Sequence, residues 1–161
     1  MKNQKGFTLV ELLVAMTIFM VAVSIASAAF IRTLRSQQAL VGLMAANDNA
    51  ALSIEQMTRE IRLSQNFNLI GNSELSFINS TGQNIVYRFN ETDQAIERSA
   101  NGGIFGPLTS KQVAIQRLKF ILESGDPPKI TILLSVAGRE RDIHESPTNV
   151  QATVSAREVE L

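Results

Sequence analysis

Leu12 to Ile31 reads LLVAMTIFMVAVSIASAAFI, twenty residues without a charge, a Pro or a Gly. Wound as a helix rising about 1.5 Å per residue, such a run crosses the roughly 30 Å hydrocarbon core of a bilayer. Arg32 and Arg35 follow it, and Lys2 and Lys5 precede it. No comparable run occurs later, so the sequence predicts a single span. Glu11 stands immediately before the uncharged stretch. A carboxylate at mid-bilayer costs about 2.5–3.5 kcal/mol on insertion scales, less near the interface, so an acid there is expected to have a function.

Three readings of this segment differ in how they treat Glu11. A cleaved secretory signal has the small-residue pattern Ala26-Ser27-Ala28 in its favour. The apolar run is longer than a signal-peptide core, however, and an acid stands where that reading needs base. An ordinary signal anchor leaves Glu11 without a role. In the third reading, Lys5 to Glu11 is a unit, KGFTLVE, followed by LLVAMTIF. This unit closely resembles the processing signature of type IV prepilins and type II secretion pseudopilins.

The resemblance implies a leader of residues 1–6, cut by a membrane aspartyl peptidase after Gly6, with the new amine of Phe7 methylated. It also implies that Glu11, fifth residue of the mature chain, directs subunit assembly by pairing with a neighbour's terminal amine. The physical sense is direct. Cleavage creates an amine with an ordinary pKa near 7.7–8.0, one helical turn from the carboxylate. A carboxylate unpaired in lipid and paired in a stack biases the chain toward assembly. Ala15, Ala22, Ala26 and Ala29 fall on roughly one helical face, where small residues permit close helix approach.

Beyond the membrane the helical period continues. Leu40, Leu43, Met44, Ala50, Ala51, Ile54, Met57 and Ile61 form an amphipathic stripe interrupted by Asn47, which is expected at a partly exposed edge. One helix is therefore expected from about Thr8 to about Ser64. Its membrane-spanning half covers residues 7–31 and its amphipathic half 32–65. Residues 66–161 are expected to form an antiparallel β-sheet domain, an α+β architecture with the apolar sheet face on the helix. Alternation marks strands around Leu75–Phe77, Ile85–Phe89, Ile130–Val136 and Val150–Ala156. Between Val113 and Leu122 the apolar phase switches, and a β-bulge near Gln116 and Arg117 would account for the switch. Loops are expected at Asn101-Gly102-Gly103, from Gly125 to Pro128 and from Gly138 to Asn149.

The residues offer little for catalysis. There is no Cys, and the one His, His144, lies in the charged stretch RERDIHESP, so zinc, thiol and triad chemistry lack their usual groups. Glu91 with Asp93, and Glu140 with Asp142, are acidic pairs better read as solvated charge than as a calcium site. Asn79-Ser80-Thr81 and Asn90-Glu91-Thr92 match the N-glycosylation pattern, which arises often by chance. No catalytic residue, metal or other cofactor is expected. Residues 66–161 hold nine Lys or Arg and eleven Asp or Glu, a balance of 9 − 11 = −2. That balance argues against phosphate binding unless Arg117, Lys119, Lys129, Arg139 and Arg141 gather into a stripe.

The resemblance extends to function. It implies a structural or priming subunit of a type IV pilus or type II secretion pseudopilus, held in the cytoplasmic membrane by one span with its C-terminal side outside. Its implied partners are other pilin-like subunits, the prepilin peptidase and methylase, and the inner-membrane assembly platform. IEQMTREIR (Ile54–Arg62) and TVSAR (Thr153–Arg157) are similar to segments of minor pilins and minor pseudopilins. The alternative is a DNA-binding competence pilin.

Overall fold

The computed structural model describes residues 6–139 and 147–157. The described residues form a helix, α1 (Leu9–Arg62), then eight strands: β1 (Gln65–Ile70), β2 (Glu74–Ile78), β3 (Asn84–Asn90), β4 (Ala95–Ala100), β5 (Gly106–Pro107), β6 (Val113–Glu123), β7 (Lys129–Gly138) and β8 (Thr148–Ser155). It divides into two units, Met1–Gln38 and Ala39–Leu161.

In the first unit every described residue, from 6 to 38, is exposed. Phe19, Ile25 and Phe30, each about two-thirds accessible, have no cover from their own chain. The hydroxyls of this stretch are satisfied within the helix. Thr17 donates to the Leu13 carbonyl, Ser24 to that of Met20 and Thr33 to that of Ala29. Back-bonding of this kind lets a polar side chain sit in an apolar surround without an orphaned donor.

The second unit contains two antiparallel sheets rather than the one expected. Strands β1-β2-β3-β4-β5 make one, in chain order, and β6-β7-β8 the other. Backbone bonds join them where β6 passes the turns of the first sheet: Ile115 N donates to the Gln94 carbonyl and Phe120 N to that of Asn72. The core draws on both sheets and on the helix, with Phe77, Tyr87, Phe120, Ile132, Met57 and Ile61 essentially inaccessible.

The bulge lies where the phase switch placed it. The β6–β7 register shifts between Ile115 and Arg117, so Gln116 is the extra residue. Val113 and Ile115 before it, and Leu118 and Phe120 after it, all face inward. β1 and β4 carry no expectation from the sequence. Glu97 and Arg98 interrupt any alternation in β4, yet pairing with β3 and a covering loop bury Ala95, Ile96, Glu97 and Ser99. That loop turns at Asn101 (φ 52) and Gly102 (φ 69), closed by Gly103 N on the Ala100 carbonyl. Two successive left-handed residues suit Asn-Gly.

The helix face also differs from the expected stripe. Its buried residues are Ala46, Ala50, Ser53, Met57 and Ile61, at steps of four, three, four and four. Leu40, Met44 and Ala51 are exposed, and so are Val41 and Leu52. Close approach to a sheet selects small side chains, and the helix carries more apolar residues than one packed face can cover. Asn47 is exposed as expected but is not idle: its Oδ1 accepts from the Thr148 hydroxyl at 3.0 Å.

Candidate functional site

The site singled out by the sequence is the Gly6–Phe7 junction with Glu11. Gly6 and Phe7 are exposed ahead of the first helical turn. A Cβ built on Gly6 would meet nothing within 4 Å. Nothing in the chain's own described packing therefore requires a glycine there. Phe7 is 87% accessible, the highest value among the large apolar residues of the first unit.

Glu11 has a second occupation that the sequence reading missed. Thr8 precedes the first helical residue, Leu9, and Glu11 lies three residues on. The Glu11 carboxylate, through Oε2, accepts from Thr8 N and from Thr8 Oγ1, both at 3.0 Å. In return Glu11 N donates to Thr8 Oγ1 at 3.2 Å. This reciprocal pair is a capping box, which satisfies donors left open at a helix start. The Thr-x-x-Glu spacing just before an apolar run was the signal available for it. Both side-chain bonds fall on Oε2, so Thr8 fixes the carboxylate at the helix start, one residue from the amine that cleavage before Phe7 would create. Ala26, Ser27 and Ala28, the alternative cleavage pattern, lie inside the continuous helix.

In the second unit one polar cluster ties the helix to the first sheet. One oxygen of Glu60, Oε2, accepts from the Tyr87 phenol at 3.0 Å and from Arg98 Nε at 3.2 Å. Burial and the neighbouring Glu60 charge push the Tyr87 phenol well above its ordinary range. A second cluster lies on the opposite face of that sheet. Nearly buried Glu97 accepts from Asn90 Nδ2 and from Arg88, each at 2.8 Å. The Asn90 bond and the Arg88 pair outweigh burial and hold the Glu97 carboxyl below its usual value. Arg88 also stacks 3.5 Å from the centre of the Phe105 ring. These partners brace the fold.

The remaining sequence expectations resolve as follows. Asn79 and Asn90 are built into turns: the side-chain Oδ1 of Asn79 accepts from Thr81 N and Gln83 N, and that of Asn90 from Thr92 N and Asp93 N. Among the described residues no three His, Asp or Glu side chains converge to hold a metal ion. His144, Glu140, Asp142 and Arg141 lie outside the described residues. Among the described residues the basic stripe is incomplete: Arg117, Lys119 and Lys129 share the outward face of β6 and β7, where Lys129 is registered against Glu123. Arg139 is turned back onto the carbonyls of Val113 and Asp93.

A helix of this length and apolarity can belong to a soluble core or cross a membrane. Its most apolar stretch holds no buried residue, unlike a helix covered by its own core. Residues 1–27 match the prokaryotic N-terminal methylation motif. No curated protein and no solved structure matches the chain. Together, the motif and the long apolar helix packed at its far end on antiparallel sheets support the type IV pilin and pseudopilin family for this chain.

Proposed function

We propose that the chain is a non-catalytic minor subunit that enters, or primes assembly of, a type IV pilus or type II secretion pseudopilus. In this reading the peptidase cuts between Gly6 and Phe7 and the Phe7 amine is methylated. Glu11 then selects a neighbouring subunit by its charge, with Thr8 holding the carboxylate in place. The protein waits in the cytoplasmic membrane with its sheets outside, and the assembly platform passes it into the filament. The observation that carries the reading is the exposed, uncharged stretch Leu12–Ile31 of the helix, which overlaps a methylation motif. Such a surface needs lipid first and partner helices afterwards, and lipid-to-helix exchange conserves its apolar contacts. In the second unit Leu40, Val41, Met44 and Leu52 are likewise exposed.

The minor role rests on the likeness of IEQMTREIR and TVSAR to minor subunits, and on features absent here that many shaft pilins carry: a Pro in the membrane helix and a Cys pair. Quantitative mass spectrometry of sheared filaments tests it. The chain should be found far below the principal pilin. Recovery as most of the filament mass would refute the minor role and leave the pilin-like reading standing.

A further inference from the structure

The helix face that packs on the sheets is graded along its length. Toward its C-terminal end it buries Met57 and Ile61, and Glu60 takes bonds from both Tyr87 and Arg98. The helix end is tied as well, since Arg157 N donates to the Arg62 carbonyl at 2.8 Å. Earlier turns bury Ala46, Ala50 and Ser53 instead. Hydrophobic stabilisation scales with the apolar area removed from water, and these three side chains bring little. Among the described residues, two side-chain hydrogen bonds add to the small apolar contacts of Ala46 and Ala50 in holding that stretch. Asn49 Oδ1 accepts from Ser110 N at 2.9 Å, and Asn47 Oδ1 accepts from the Thr148 hydroxyl at 3.0 Å. Both bonds are exposed, so water competes for them. No ion pair reaches Ala45–Ser53 among the described residues.

We propose that Ala45–Ser53 is a strap, latched by Asn47 and Asn49, that opens from the β-sheets while Met57 and Ile61 stay seated. The sheets keep their own ladders when it lifts, because those bonds run from strand to strand. Opening therefore costs less than unfolding, as local openings do. It bares the small-residue face Ala46, Ala50 and Ser53 without dismantling the core below.

The absence of native cysteine allows single cysteines to report accessibility without background. Ser53→Cys and Met57→Cys, each in the full-length chain in detergent micelles, are labelled with a maleimide. Ser53→Cys should react at least about tenfold faster than Met57→Cys. Adding Asn47→Ala and Asn49→Ala together should speed Ser53→Cys by about tenfold, the combined factor for two weak, water-exposed hydrogen bonds, and leave Met57→Cys unchanged. Alanine is the better helix former, so helix fraying cannot produce that gain. Equal rates at the two positions, or parallel acceleration of both, would overturn the strap in favour of whole-domain opening. Ser99→Cys, near-isosteric and buried in β4, reports whole-domain opening should Met57→Cys itself loosen the core.

Discussion

The described residues up to Gln38 and those from Ala39 onward use apolar side chains in opposite ways. From Ala39 the chain covers most of what it offers: Phe77, Tyr87, Phe120 and Ile132 are sealed between helix and sheets. From Gly6 to Gln38 it covers nothing, although this stretch is the more apolar of the two. Both draw on one helix, so helix propensity cannot distinguish them. What distinguishes them is whether the chain supplies its own cover, and an apolar helix without cover is a requirement for lipid or for partners.

Gly6→Leu should give the largest separation between the regions. Maturation should stop, seen as a retained leader in intact mass, while the second unit keeps its melting temperature, because no described atom lies near a Gly6 Cβ. A processed Gly6→Leu chain would show that the junction is not read through this residue. Removing residues 1–38 should leave a folded domain that needs no detergent. If that truncated chain aggregates, then the exposed Leu40, Val41, Met44 and Leu52 belong functionally with the first region.

Glu11→Ala should preserve or improve membrane insertion and impair incorporation into filaments, since it removes a carboxylate from near the hydrocarbon along with its pairing. Thr8→Val should do the same more weakly, because capping is worth about 0.5–2 kcal/mol and the charge remains. Incorporation of Glu11→Ala at wild-type level would remove Glu11 from the assembly account.

Most of the fold was legible because period is a physical signal. The helix, the strands β2, β3, β7 and β8, and the bulge at Gln116 all announce themselves through which residues recur at which spacing. β4 was not legible, because its two charged residues are stabilised by partners distant in sequence. Arg98 finds Glu60 on the helix, and Glu97 finds Arg88 and Asn90 on β3. The helix stripe was displaced for a related reason: apolarity marks which residues want cover, and side-chain size decides which come closest. At the site, the local signature singled out Gly6, Phe7 and Glu11, whereas the Thr8–Glu11 capping box needed the helix start to be placed first.

Within the second region, Glu60→Ala should cost about 1–3 kcal/mol by stranding a partly buried guanidinium and the phenol of buried Tyr87. Glu55→Ala, which removes an exposed pair with Arg59 at 3.9 Å, should change stability by less than about 0.5 kcal/mol. Comparable losses would mean that the Glu60 cluster is not a tie between helix and sheet. The smallest effect is expected at Glu97, whose folded-state pKa is lowered. Its contribution is present above the unfolded value near 4.3 and fades as pH falls through the folded value. Glu97→Gln should therefore flatten the acid limb of a stability–pH curve; an unchanged acid limb would assign that slope to other carboxylates.

Mass analysis of the N-terminal peptide of protein purified from its native membrane tests the central claim most directly. The account predicts a chain that begins at Phe7 with a methylated amine. A chain that begins at Ala29 would contradict it, restoring the secretory-signal reading and removing the membrane helix from the mature protein.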